Sequence, residues 1–351
     1  ANLNISTAVL RPTSKGIALT DRGNLTLDVV NNSISNNATV TTTQTLADAI
    51  DGAANRTDRF GVQITSTTDS QSTINFDSNT LTGNGVPSTV ARTSSTGGLG
   101  ILAGGSSRLN VNVSDSTFRE NAGVSINPIV GSGPVTTTTA RIDLDVDRSL
   151  IVNAQLANTD EGIHAAGIDS MADTGTLNTT IRSTVLQGDP AVLAGTYDRM
   201  EAVYSFAKGD SVVTTRLVDS GLNVLGRNGN ELTGWHVGVG GNASQTGNLT
   251  TSITNTLIDA ECVLKLHSGL VGDSAMSINT TSVRDSLFIA RLDTTSPLDG
   301  VLADAVGGGQ LSLSVFDTEF RFEGVVDATN PAREFFDIRA SETGNTSLFL
   351  T

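Results

Sequence analysis

A two-part apolar pattern returns about ten times along this chain and limits the available folds before any single residue does. The second half of each unit is an alternation ending in Asn or Asp, then Ser or Thr, then an apolar residue. It reads NLTLDVVNNSI from Asn24, STINFDSNTL from Ser72, RLNVNVSDSTF from Arg108, RIDLDVDRSLI from Arg141, SVVTTRLVDSGL from Ser211 and QLSLSVFDTEF from Gln310. The first half is a shorter alternation, such as FGVQIT from Phe60, LGILAG from Leu99, WHVGV from Trp235, CVLKLH from Cys262 and FFDIRA from Phe335. Period-two runs bounded by Gly, Asn, Asp and Ser read as strands with one buried face. A unit too small to enclose its own apolar face must stack on its neighbours. No stretch keeps a helical period over three turns, and TLADAIDGAANR from Thr45 reads at most as one short helix in a loop.

Successive first strands start about 24 to 44 residues apart, which predicts coils of a parallel β-solenoid with loops of unequal length. Leu25, Leu27 and Val29 should then point inward and stack in columns with Leu109, Val111 and Val113 and with Leu311, Leu313 and Val315. The pairs Asn32-Ser33, Asn79-Thr80, Asp115-Ser116, Asp219-Ser220, Asn255-Thr256, Asp285-Ser286 and Asp317-Thr318 should end strands at sharp corners. Such residues accept turn conformations and bond nearby backbone, so they should form polar ladders. The repeat runs through residues 1–351 without a linker and predicts one elongated domain: an incomplete coil at 1–15, stacked coils over 16–334 and an incomplete coil at 335–351.

With 21 Lys and Arg against 36 Asp and Glu, the formal net charge is -15. That excludes the clustered cations a nucleic-acid surface needs and disfavours an anionic membrane. No apolar run approaches the length of a membrane span. The single cysteine, Cys262, permits no internal disulfide and, alternating with Leu264 and Leu266, reads as a buried thiol. An acidic, Asn- and Thr-rich chain that opens at Ala1 without a signal sequence reads as an extracellular or cell-surface protein. It carries 11 Asn-x-Ser/Thr sequons, among them Asn112, Asn178 and Asn279, where its composition alone produces about seven by chance, so glycosylation is permitted without being demanded.

The coil pattern resembles the right-handed parallel β-helix of the pectin-lyase-like superfamily and of bacterial autotransporter passengers and surface adhesins. That resemblance implies an all-β, single-stranded, right-handed solenoid of about ten coils with variable loop insertions. It implies architecture more than activity. Asn158-Thr159-Asp160 resembles a segment of polygalacturonase-like hydrolases, but the adjacent Asp pair, Gly-His-Gly and Arg-Ile-Lys of that family are missing, and hydrolysis of that type needs two carboxylates at a set separation. His164, His236 and His267 fall on separate strands with no carboxylate at ligand spacing. Asp143, Asp145 and Asp147 alternate with apolar residues and should face outward together, as a solvated acidic stripe or as a calcium site. Trp235 reads as a core residue, and Gly307 to Gly309 as a turn lacking the Lys of a phosphate loop.

The ends carry the clearest functional expectation. Leu3, Ile5, Val9 and Leu10 read as half a coil, and Phe335, Phe336, Ile338, Leu348, Phe349 and Leu350 as a last coil with nothing above it. Uncapped solenoid ends present strand edges and apolar cross-sections. The expected function is therefore a structural protein without cofactor or catalysis, whose partners are copies of itself end to end in a filament or surface fibre. The alternatives are an adhesin or passenger stalk that binds surface glycans, with its functional loops near Thr39 to Thr45, Val130 to Thr139 and Gly238 to Gly247, and a polysaccharide lyase or hydrolase.

Overall fold

The computed structural model describes residues 2–6, 9–10, 17–21, 23–35, 59–66, 69–84, 96–121, 124–131, 139–153, 164–188, 199–224, 235–292, 300–324 and 335–351. They form an all-β parallel solenoid of three sheets. Sheet I stacks eleven strands: β1 (Asn2–Ser6), β4 (Thr26–Val30), β7 (Gln71–Asp77), β10 (Arg108–Ser114), β13 (Arg141–Asp147), β16 (Gly175–Arg182), β19 (Ser211–Val218), β22 (Asn248–Thr254), β25 (Ile278–Arg284), β28 (Gln310–Phe316) and β31 (Asn345–Leu350). Sheet II stacks ten short ones: β2 (Val9–Leu10), β5 (Ser33–Ser35), β8 (Thr80–Thr82), β11 (Thr117–Arg119), β14 (Leu150–Asn153), β17 (Val185–Gly188), β20 (Gly221–Asn223), β23 (Leu257–Ala260), β26 (Leu287–Leu292) and β29 (Glu319–Gly324). Sheet III stacks ten more: β3 (Ile17–Asp21), β6 (Arg59–Ser66), β9 (Thr96–Ala103), β12 (Val124–Val130), β15 (His164–Ala172), β18 (Arg199–Lys208), β21 (Trp235–Ser244), β24 (Cys262–Ser268), β27 (Val301–Ala305) and β30 (Phe336–Ala340). Each turn of the chain therefore visits sheets I, II and III in order.

Sheet I shows why the alternation builds a tube. Its strands pair without a slip, so Leu27, Ile74, Val111 and Leu144 form one inward column and Val29, Phe76, Val113 and Val146 the next. These side chains are essentially fully buried, and one continuous apolar core follows them through the solenoid. The predicted inward placement of Leu27 and Val29 with Val111, Val113, Leu313 and Val315 holds; Leu25 is only half-buried at its end of the row.

The passage from sheet I to sheet II takes two residues, as between Val30 and Ser33, Ser114 and Thr117, or Phe316 and Glu319. The first adopts a left-handed conformation: Asn31, Ser78, Asp115, Arg148, Ser183, Asp219, Asn255, Asp285 and Asp317 all have φ between 45° and 57°. Asn and Asp accept this region at the lowest cost among residues with a Cβ. The second points inward and forms a buried ladder. The Asn32 amide donates to Asn79 Oδ1 (2.9 Å), the Asn79 amide to Ser116 Oγ (3.1 Å) and the Ser116 amide to Ser149 Oγ (3.2 Å). The ladder hydroxyls in turn donate to the carbonyl two residues back, as Ser116 does to Ser114 at 2.8 Å and Thr184 to Arg182 at 2.7 Å. The predicted ladders therefore exist, but the corner pairs of the first coils are Asn31-Asn32 and Ser78-Asn79, one residue earlier than the sequence suggested.

Between sheets II and III the spacing varies from one residue, Glu261, to the 23 that separate Ser35 from Arg59. The Thr45 segment and Thr39 to Thr45 lie there, outside the described residues. Gly238 to Gly247 was expected to be a loop, yet Trp235–Ser244 is a ten-residue strand. Its glycines answer close approaches: a Cβ on Gly238 would stand 2.3 Å from Ile258 Cγ2, and one on Gly240 2.9 Å from both Glu201 Oε1 and the Tyr204 ring. A Gly-rich strand of this kind marks where something else approaches the backbone.

Candidate functional site

The columns show which residues each end of the solenoid presents. At one end, β1 places Leu3 in register with Leu27 and Ile5 with Val29, and β2 places Leu10 in register with Ile34. All three partners face the core. Val9 pairs instead with Ser33, an exposed residue.

At the other end, β31 places Leu348 over Leu313 and Leu350 over Val315. The same two columns are at most 3% exposed at Leu313 and Val315 but 38% and 50% exposed at Leu348 and Leu350, which no further strand covers among the described residues. Phe336 and Ile338 continue the inward columns of sheet III above Val301 and Ala303, and remain half-buried. Phe335 and Phe336 pack against Phe320 at ring separations of 5.0 and 5.1 Å, and Phe320 meets Phe288 edge-on at 5.5 Å. These edge-to-face contacts make a partial aromatic lid over sheets II and III. Phe349 differs from its neighbours: it lies in register with Ser314 on the outward side and packs on Phe316 at 5.7 Å. It is exposed because it faces outward, not because the tube is open.

Sequence reading named Phe335 and Phe336 but missed Phe320 and Phe288 beneath them. Seven of the 11 phenylalanines, Phe288, Phe316, Phe320, Phe322, Phe335, Phe336 and Phe349, crowd into the last stretch of the chain, and that uneven distribution was the available signal. A second exposed apolar group, Leu270, Val271 and Met276, lies in the connection between β24 and β25. Glycines 307 and 308 admit that connection, since a Cβ on Gly307 would stand 2.4 Å from the Leu270 carbonyl oxygen.

The acidic stripe lies over sheet I beside a cavity of about 410 Å³ lined by Asn110, Asn112, Arg141, Asp143, Asp145 and Arg216, among others. Arg141 grips Asp143 with Nε and Nη2 at 2.6 and 2.8 Å, and Asn178 donates to the same carboxylate at 2.7 Å. Arg182 meets Asp145, and Arg148 joins Asp147 to Asp115. Partial burial pushes the Asp143 pKa up, but the hydrogen bonds from Arg141 and Asn178 and the charges of Arg141 and Arg108 outweigh it and hold the group below its usual value. Each of the three carboxylates is thus engaged by an arginine, and among the described residues no group of three or more His, Cys, Asp and Glu is placed to hold a metal.

His267 Nε2 lies 3.1 Å from the Gly269 carbonyl oxygen and Nδ1 3.4 Å from Asp304. His164, Trp235 and His236 lie on strands, but their side chains are outside the described residues, as is Asn158 to Asp160. Cys262 is buried beside Val237 and Leu302, in a cluster separate from the main core. Asn279, inside a sequon, is fully buried and donates to the Gly241 and His267 carbonyls, which removes it as a glycan acceptor in the folded chain. No described helix is long and apolar enough to cross a membrane. No family model, curated protein or solved structure matches this chain.

Proposed function

We propose that this protein is a structural solenoid of the cell exterior that associates end to end with copies of itself to form a filament or surface fibre. The carrying observation is that two inward columns, buried from Leu27 and Val29 to Leu313 and Val315, are exposed at Leu348 and Leu350, where β31 has no second strand neighbour among the described residues. The edge offers directional backbone hydrogen bonds, and burying a leucine side chain contributes about 1.5–3 kcal/mol. Charge favours a second copy as the occupant. Residues 1–15 carry Arg11 and Lys15 and no acid, whereas residues 317–351 carry seven acids against Arg321, Arg333 and Arg339. A contact that repeats from one copy to the next without closing grows into a fibre. Engagement of Asp143, Asp145 and Asp147 by arginine supports a structural role over polysaccharide cleavage and over calcium binding.

The kinship of right-handed pectin-lyase-like solenoids and autotransporter passengers remains the finer part of this reading. A passenger or adhesin stalk would use the same end surface and differ only in whose coils cover it. Light scattering after size exclusion, over a range of concentrations, tests the proposal. The unaltered chain should grow in mass with concentration, and Leu348→Asp with Leu350→Lys should remain monomeric with an unchanged β-sheet spectrum. Equal assembly by both would sink end stacking, and monomers throughout for the unaltered chain would do the same.

A further inference from the structure

The geometry points to a binding site for a linear ω-amino carboxylate on the outer face of sheet I, with the ligand's ammonium held between Asn112 and Asp145 and its carboxylate by Arg216. This site is independent of how copies of the chain associate.

The argument begins with a count of hydrogen-bond donors. Asp28, Asn75, Asn112 and Asp145 stand in register on four successive strands and form one outward column. The column has three gaps between neighbours, with a carboxylate at each end. An ionised carboxylate only accepts, and an asparagine amide presents its NH2 on one side and its carbonyl oxygen on the other. Two amides fill two gaps, so one gap must hold two acceptors face to face. Asn75 Nδ2 donates to Asp28 Oδ1 at 2.7 Å and Asn112 Nδ2 to Asn75 Oδ1 at 2.9 Å, which leaves the gap without a donor between Asn112 and Asp145. Asp145 shows the deficit. Arg182 reaches its Oδ2, while Oδ1 is shielded from solvent and has no hydrogen-bond partner among the described residues. Such an acceptor keeps its desolvation cost until a donor arrives from outside.

The gap opens on the cavity of about 410 Å³ that spans β10, β13, β16 and β19. Two arginines line it. Arg141 is bound to Asp143, whereas Arg216, which follows Asp145 and Thr180 in the same outward column, is paired with no acid among the described residues. One side of the cavity thus lacks donors and the other offers an unengaged guanidinium. An ammonium brings three donors and meets both acceptors of the gap, and a carboxylate matches the guanidinium fork. Asp145 and Arg216 stand two strands apart, so the two charges of the ligand lie between one and two strand spacings from each other, about 4.8–9.6 Å. The hydroxyls of Thr180 and Thr214 line the stretch between them. A simple amine leaves the guanidinium unmet, and a simple carboxylate meets two facing acceptors, so neither half of the ligand should suffice.

The probe is 6-aminohexanoate, titrated by saturation-transfer NMR beside hexylamine and hexanoate. The unaltered chain should bind it at least tenfold more tightly than either single-charge analogue. Asp145→Asn should weaken binding at least tenfold, because the new amide fills the gap, and so should Arg216→Gln. The decisive variant is Asp28→Asn, three strands from Asp145 and outside the cavity. A third amide lets all three turn their NH2 groups toward Asp145, so that every gap holds a donor. It should weaken binding at least threefold with an unchanged β-sheet spectrum, an effect that a site without the ladder would not show. Absence of binding by the unaltered chain, equal binding of hexylamine or hexanoate, or binding unchanged in any of the three variants would overturn the assignment.

Discussion

The two halves of the tube fill the same backbone with different chemistry. In β4, β7, β10 and β13 one inward column is Leu27, Ile74, Val111 and Leu144, purely apolar. Beyond Leu144 the column becomes Thr179, Thr215, Thr251 and Thr281, and it returns to leucine at Leu313 and Leu348. All four threonines are fully or almost fully buried. Two of them are satisfied from sheet III, where Ser170 and Ser205 stand in the facing column: Ser170 Oγ lies 2.8 Å from Thr179 Oγ1 and Ser205 Oγ 2.6 Å from Thr215 Oγ1. The next residue of that facing column is Gly241, and Thr251 Oγ1 is buried with no hydrogen-bond partner among the described residues. A serine cannot simply be restored there, because a Cβ on Gly241 would meet Leu249 Cδ2 at 3.0 Å and Asn279 Nδ2 at 3.6 Å. The tube thus tolerates hydroxyls where they come in pairs, because an unpaired buried polar group keeps its full desolvation cost while a paired one recovers most of it.

The contrast can be broken most severely in the apolar half. Phe118, fully buried and stacked on Phe76 at 6.2 Å, should lose about 3–5 kcal/mol of stability as Phe118→Ala, read from the midpoint of urea unfolding. The hydroxyl half should respond with opposite signs one coil apart. Thr215→Val strands the Ser205 hydroxyl and should cost about 1–3 kcal/mol, largely recovered in the double variant with Ser205→Ala, while Thr251→Val should be neutral or stabilising by up to about 1 kcal/mol. Equal costs for the two valine substitutions would remove pairing as the explanation.

The smallest expected effect is electrostatic, on the outer face of the apolar half. The Asp143 pKa lies below its unfolded value, so the stability it supplies is complete above the ordinary carboxylate range and is lost as pH falls through the folded value, from roughly pH 4 downward. Asp143→Asn should therefore show a shallower acid decline of the unfolding midpoint than the parent, with the two curves converging at low pH. Parallel curves would mean that Arg141 and Asn178 do not govern that carboxylate.

The alternation and the corner residues made the solenoid legible because each inward residue is apolar for most of the chain and each corner needs a left-handed residue. The corner was misplaced by one residue where both candidates were polar, as in Asn31-Asn32-Ser33, since composition there does not say which side chain turns in. The three-sided cross-section stayed hidden because the two-residue passage interrupts the alternation too briefly to separate sheet II from sheet I. The glycines of β21 looked like a loop because what they accommodate, Ile258 and Glu201, lies on other strands and is invisible along the sequence. The threonine column was unreadable for a related reason, as alternating Thr serves equally on either face. At the open end, Leu348 and Leu350 could be placed only once strand register separated them from Phe349.

The left-handed residue at each sheet I to sheet II passage makes this edge a ruler. One residue per coil, from Asn31 to Asp317, is held in the same backbone conformation at intervals of about 4.8 Å, and its identity already ranges over Asn, Ser, Asp and Arg. Side chains of chosen charge could be written along it one coil at a time, with glycine, asparagine or aspartate as the blank.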